Sequence, residues 1–237
     1  MVLKLLISVT CVEEALEALK GGADIIDVKN PSEGSLGGHY PWIVREVRKA
    51  ITSTEVSAAV GDSPYLPGLV SLACYGLTLC GVDYVKIGMY GPRSIDEALK
   101  LAEASCKAVK IANEKAKVVL AGYADYKEAK CLNPAIIPEL AHRVNADVAM
   151  IDTKIKNGFK TLHYLKMDEL KEFINKAHNY GLKAALAGSL RIEDINIVRE
   201  IGADIVGFRG AVCIGDRVSG RVSSELVYKL KKQLKYC

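Results

Sequence analysis

The chain has 237 residues, half of them hydrophobic, and its 32 basic and 28 acidic side chains leave a net charge of +4. That composition excludes a disordered chain. The small, dispersed charge excess excludes a basic nucleic-acid footprint and slightly favours an anionic ligand. Only three Phe and one Trp occur, so the core falls to Val, Ile, Leu and Ala, as in parallel strands covered by helices. The length suits one α/β barrel of about 250 residues, and residues 1–237 are read as a single catalytic barrel domain.

In chain order, the first apolar run covers residues 3–9. The segment from Met1 to Ser8 lacks the charged-then-apolar order and small-residue cleavage site of a leader. No apolar stretch approaches about 18 residues, so no membrane partner and a cytoplasmic location are expected. An amphipathic stretch, Val12–Lys20, follows, and then the first copy of an internal repeat. Gly22-Ala23-Asp24-Ile25-Ile26-Asp27, Gly81-Val82-Asp83-Tyr84-Val85-Lys86, Asn145-Ala146-Asp147-Val148-Ala149-Met150 and Gly202-Ala203-Asp204-Ile205-Val206-Gly207 share one pattern. A helix-ending Gly or Asn comes first, and a short apolar strand opens after a polar residue. Runs at 55–60, 117–122 and 183–187 alternate with these copies, and helix-compatible segments such as 95–113 and 167–180 lie between.

Eight strand–helix modules without a linker predict a (β/α)8 TIM barrel, α/β in class. An open doubly wound sheet would carry a glycine-rich loop after the first strand, and Ser8-Val9-Thr10-Cys11 has no glycine. The longest non-helical connection spans residues 30–41. With Gly34, Gly37 and Gly38 it reads as a mobile loop over the active face.

Barrel active sites lie where strands end at the C-terminal face. Setting the four repeat aspartates level places Asp27, Lys86, Met150 and Gly207 at one inward position. Lys29, Gly88, Asp152 and Arg209 come two residues further on the same face. Ionisable groups inside a barrel are costly unless paired. A structural ion network of Asp27, Lys29, Lys86 and Asp152 is one reading, although buried pairs are weak stability devices. Amine catalysis is the other. At an ordinary pKa of about 10.4 roughly 1 lysine in 2,500 is neutral at pH 7, and burial or a second cation raises that fraction. Aspartates at the site would oppose that lowering, so sequence leaves the balance open.

Gly188-Ser189 ending the seventh strand and Arg209-Gly210 ending the eighth match the usual barrel phosphate site. An ordinary turn and cap is the competing reading for Gly-Ser. Lys156 is placed to reach a second phosphate, or else to lie in a solvated loop with Lys154 and Lys160. His39 follows the loop glycines, while His142, His163 and His178 are scattered and read as surface residues. Without a metal-binding motif, no metal is expected. Seven cysteines (Cys11, Cys74, Cys80, Cys106, Cys131, Cys213, Cys237) lack C-x-x-C spacing and read as reduced and mostly buried. Residues 74–79 and 227–234 are candidate apolar faces for a homo-oligomer.

The blocks Asp24-Ile25-Ile26-Asp27-Val28-Lys29-Asn30-Pro31, Glu33-Gly34-Ser35-Leu36-Gly37, Tyr84-Val85-Lys86-Ile87-Gly88, Ala121-Gly122-Tyr123-Ala124-Asp125, Ala149-Met150-Ile151-Asp152-Thr153, Leu186-Ala187-Gly188-Ser189-Leu190 and Arg209-Gly210-Ala211 together resemble the (5-formylfuran-3-yl)methyl phosphate synthase family of methanofuran biosynthesis. Residues 215–221 match least well. The resemblance implies a lyase that condenses two glyceraldehyde 3-phosphates into a phosphorylated furan aldehyde, releasing phosphate and water, with no metal or organic cofactor. It implies Lys29 as the Schiff-base residue and Lys86 as proton acceptor, with Asp27, Asp152 and Lys156 as further site residues. It also implies a setting in archaeal methanogenesis and related one-carbon metabolism. Two rivals are another class I aldolase acting on triose or sugar phosphates and a non-catalytic sensor of a phosphorylated ligand, which would leave the lysine pair unexplained.

Overall fold

A computed structural model describes residues 3–235. It forms a closed parallel barrel of eight strands: β1 (Lys4–Val9), β2 (Ile25–Val28), β3 (Glu55–Ala59), β4 (Tyr84–Gly88), β5 (Lys117–Tyr123), β6 (Val148–Asp152), β7 (Lys183–Leu186) and β8 (Ile205–Phe208). The main outer helices are α1 (Val12–Lys20), α2 (Pro41–Ala50), α3 (Pro67–Leu79) and α4 (Ile95–Ala112). Beyond them come α5 (Tyr126–Ala129), α6 (Ile137–Arg143), α7 (Thr161–Tyr164), α8 (Met167–Asn179), α9 (Ile195–Glu200) and α10 (Ser224–Lys235). Between β8 and α10 the chain inserts a small hairpin, β9 (Cys213–Ile214) with β10 (Arg221–Val222). Sequence reading does not foresee this hairpin, because each strand has only two residues and no hydrophobic alternation.

The repeat is explained by the lower rim. Asp24, Asp83, Asp147 and Asp204 each accept a hydrogen bond from a backbone N–H of the preceding strand, Leu5, Val56, Val118 and Ala184 respectively, at 2.7–2.8 Å. Strand N–H groups at a staggered barrel edge have no ladder partner, and each carboxylate supplies one. A basic side chain faces each aspartate in turn: Lys231, Arg48, Lys110 and His178. His178 is therefore half-buried against Asp204 at 2.8 Å, not a free surface residue. The residue two before each aspartate has positive φ at Gly22, Gly81, Asn145 and Gly202, the left-handed helix ending expected there.

With register set from below, inward layers alternate between even and odd strands. Ile25, Tyr84, Val148 and Ile205 form one layer, and Leu6, Val119 and Ala185 belong to the next. Below them Glu55 accepts from Lys4 at 2.5 Å and from Lys117 and Tyr84 at 2.9 Å, closing the floor with a polar plug. Outward strand residues such as Leu5, Ile7, Val85 and Leu120 pack fully buried on the helices. Each such side chain is worth about 1.5–3 kcal/mol relative to exposure.

Two expectations change. The 30–41 loop is anchored: Leu36 is fully buried in the barrel-top cluster, its N–H donates to Asp62 Oδ2 at 3.1 Å, and Gly37 packs against the Asn30 carbonyl. A buried leucine and close-packed glycine outweigh the flexibility that three glycines signal. The apolar side of α10 is also partly spent internally. Val227 and Leu230 are buried, with Val227 against Gly21 at the end of α1, while Tyr228 on the same helix is exposed. On α3, by contrast, Leu69, Leu72, Tyr75 and Leu79 are exposed. The six described cysteines are unpaired, and burial pushes the Cys74 and Cys106 thiols up to about 12; Cys237 lies outside the described residues. Among the described residues no helix is long and apolar enough to cross a membrane.

Candidate active site

At the C-terminal rim the barrel opens into a cavity of about 560 Å³ whose lining includes Lys29, Lys86, Asp152, Lys156, Gly188 and Arg209. Sequence parity thus brings the expected groups together. Lys29 directly follows β2, where its N–H still pairs with the Val9 carbonyl at 3.1 Å. That last ladder bond fixes the backbone and aims the side chain inward.

Lys29 is 6% exposed, and among the described residues its ammonium has no hydrogen bond or ion pair. Burial lowers its pKa to about 8. Asp152 and Asp27 work against that lowering, while Lys86 and Lys156 assist it. The opposing influences seen in the sequence are therefore resolved by desolvation. At pH 7 roughly one molecule in ten carries a neutral Lys29, against one in thousands for an ordinary lysine.

Lys86 lies one layer deeper, with its Nζ 2.7 Å from Asp27 Oδ2; both side chains are closed to solvent. Ser8 Oγ donates to the same Asp27 oxygen at 2.9 Å, and the other oxygen, Oδ1, has no protein partner. Asp152, at the end of β6, accepts from its neighbour Thr153 N at 2.7 Å and from Lys156 Nζ at 2.8 Å. Burial opposes its charge, but Lys156 and Lys29 overcome it and hold the carboxyl at about 2. Asp125 steadies this loop by accepting from Lys154 N and Ile155 N at 2.8 and 2.6 Å.

On the opposite wall Gly188 and Ser189 have φ of +99 and +54, respectively. A side chain at Gly188 would strike Thr161 Oγ1 and Thr153 N, so the tight approach there requires glycine. Gly210 opens the turn after β8 and also lines the cavity. Arg209 is placed differently from the free phosphate ligand suggested by its position. Its guanidinium donates to both oxygens of buried Glu14 at 2.9 and 3.3 Å, to Ser8 O at 3.0 Å and to Arg217 O at 2.6 Å. Four of its five donors are thereby engaged.

Sequence reasoning missed Glu14, Asp62 and Arg217. Glu14 sits on the inner face of α1 among Ala15 and Ala18, a buried position a hydrophobic pattern would have flagged as anomalous. Asp62 accepts from Tyr123 Oη and Leu36 N and lies 3.8 Å from Lys154 Nζ, joining four rim loops. Arg217 enters from the unforeseen hairpin and donates to the Pro31 and Gly34 carbonyls at 3.3 and 3.4 Å.

Comparison with known proteins settles the family. A family model described as 4-HFC-P synthase matches residues 5–231. The chain belongs to the 4-HFC-P synthase family. It is 50% identical over 230 residues to the (5-formylfuran-3-yl)methyl phosphate synthase of Methanococcus maripaludis (strain S2 / LL), covering 96% of this chain and 98% of that protein. The enzyme of that name from Methanocaldococcus jannaschii is 49% identical over 234 residues, covering 98% and 99%. Among solved structures, 3-hexulose-6-phosphate synthase superposes with a TM-score of 0.68 at 18% identity, covering 98% of this chain and 99% of that one. Phosphoribosyl anthranilate isomerase from Thermus thermophilus gives 0.66 at 18% identity, covering 98% of each. Those two likenesses show the barrel fold alone. As a member of the 4-HFC-P synthase family the chain is an enzyme.

Proposed function

We propose that this enzyme condenses two glyceraldehyde 3-phosphates into (5-formylfuran-3-yl)methyl phosphate, a step of methanofuran biosynthesis, through an imine on Lys29. The observation that carries the reading is an unpaired, buried lysine with a pKa of about 8 at the mouth of the barrel. A neutral amine attacks the aldehyde carbon of one triose; loss of water gives the imine, which draws electrons from the adjacent C–H bond. Lys86, ion-paired to Asp27 beneath the cavity, exchanges the proton of that carbon, and Asp152 with Lys156 serves the oxygens of the reacting chain. Addition to the second aldehyde, expulsion of phosphate, loss of water and hydrolysis of the imine, which returns Lys29 as the free amine, complete the ring and release the aldehyde. The Gly188-Ser189 and Gly210 turns offer backbone N–H groups to the retained phosphate.

Incubation with glyceraldehyde 3-phosphate alone should yield a near-ultraviolet chromophore with the mass of the furan phosphate. Borohydride added during turnover should attach a three-carbon phosphate to Lys29. A reversible aldol product without furan would point to an ordinary class I aldolase, and full activity in Lys29→Ala would overturn the imine assignment.

A further inference from the structure

Two phosphorylated substrates bring two phosphates into one cavity, and the Gly188–Gly210 wall accounts for one. We propose that Arg217 binds the other, the phosphate of the triose that loses it; this rests on the two-triose reading above. Lys29 is unpaired but is taken up by the imine, and the remaining cations on the inner wall are already matched. Lys86 is paired with Asp27, Lys156 with Asp152 and Arg209 with Glu14. Lys156 is the sequence candidate for a second phosphate, but Asp152 Oδ1 and Thr153 Oγ1, both at 2.8 Å, take two of its three donors. Arg191 and Lys229 also line the cavity but are exposed.

Arg217 is half-buried, lines the cavity and has no carboxylate partner among the described residues. Its base lies beside Gly210, where an added Cβ would stand 3.7 Å from Arg217 Cβ. Its guanidinium reaches across the mouth to the carbonyls of Pro31 and Gly34. Those two bonds are long for N–H···O contacts and leave three of five donors unused. A planar guanidinium with spare donors in a partly desolvated cavity fits a phosphate dianion in the bidentate manner a lysine cannot reproduce. The turn that carries it is closed by Asp216, which accepts from Val218 N and Ser219 N at 2.7 and 3.0 Å. The carbonyls it touches belong to the segment following Lys29, so an anion on Arg217 would sit over the chemistry.

Because the departing group is inorganic phosphate, that ion is the probe. Calorimetric titration of the wild-type enzyme with inorganic phosphate should count two sites, Arg217→Gln should count one, and Arg217→Lys should regain the second with weaker affinity. Furan formation by Arg217→Gln should fall about 10- to 100-fold, the range of a charged hydrogen-bonded contact. One site in the wild type, or two in Arg217→Gln, overturns the proposal and leaves Arg217 as a loop tether. The borohydride adduct on Lys29 should persist in Arg217→Gln; its absence from the wild type would instead sink the imine reading and leave the phosphate count standing.

Discussion

The ammonium of Lys86 lies 2.7 Å from Asp27 Oδ2 at the bottom of the cavity, and both side chains are almost closed to solvent. Removing one member of such a pair strands the other charge in a medium that solvates it poorly. Asp27→Ala should therefore cost about 3–5 kcal/mol of stability, read from denaturant unfolding. An apolar double replacement, Asp27→Leu with Lys86→Met, should recover most of that loss while furan synthesis stays abolished. Recovery of both would show that the pair is structural only.

Lys29 makes a second prediction with two faces. Its native pKa of about 8 lies below the unfolded value, so the unfolded chain holds the proton more tightly. The cost to the fold is complete below pH 8 and disappears as pH rises towards about 10.5. Lys29→Met should thus be more stable than the wild type by about 3 kcal/mol at pH 7, with the gap closing between pH 8 and 10.5. In the active enzyme, kcat/KM should climb about tenfold per pH unit below 8 and level off above it. A profile flat from pH 6 to 9 would refute the pKa assignment.

Much of this site was legible in the sequence because strand alternation and the aspartate repeat are local rules. Once Asp24, Asp83, Asp147 and Asp204 are level, the parity of Asp27, Lys29, Lys86 and Asp152 follows without tertiary knowledge. What stayed hidden depends on long-range packing. Glu14 meets Arg209 across 195 positions, and Arg217 reaches Pro31 from a hairpin too short to carry a pattern. The 30–41 loop misled for a related reason: glycine marks conformational freedom in the chain, and whether that freedom is used up depends on where Leu36 packs.

Asp152 and Lys156 should tune Lys29 in opposite directions. Asp152 raises the Lys29 pKa and Lys156 lowers it. In Asp152→Asn the acidic limb of the pH–rate profile should move to lower pH, while kcat/KM falls about 10²–10³-fold as a proton-transfer group is lost. In Lys156→Met the limb should move to higher pH, because a cation is removed and Asp152 is freed to act on Lys29. Shifts of the same sign in both variants would contradict the electrostatic account.

Gly188 combines positive φ with a clash awaiting any side chain. Gly188→Ala should lose about 1–3 kcal/mol from the backbone alone, and the displaced wall should weaken phosphate binding. Gly181 is the control: its φ is +73 with nothing within 4 Å of an added Cβ. Gly181→Ala should cost about 1 kcal/mol and leave activity at wild-type level. Equal loss of phosphate affinity in both would argue against a specific wall at Gly188.

Glu14 is the acid that sequence reading passed over, and its role is mechanical. Its two oxygens take Thr10 N at 2.8 Å, Val222 N at 3.3 Å and the Arg209 guanidinium, stitching the ends of β1 and β8 to the hairpin that carries Arg217. Burial opposes its ionisation, but Arg209 and Thr10 outweigh it and hold the carboxyl below the usual range. A depressed carboxylate contributes stability that is fully present above the unfolded value of about 4.5 and is lost as pH falls through the native one. Glu14→Gln keeps the shape and removes the charge, so it should be less stable than the wild type at pH 7. The difference should shrink steadily once the pH drops below about 4.5. A gap that stays constant from pH 7 to pH 3 would mean that Glu14 holds the seam by shape and hydrogen bonding, without its charge.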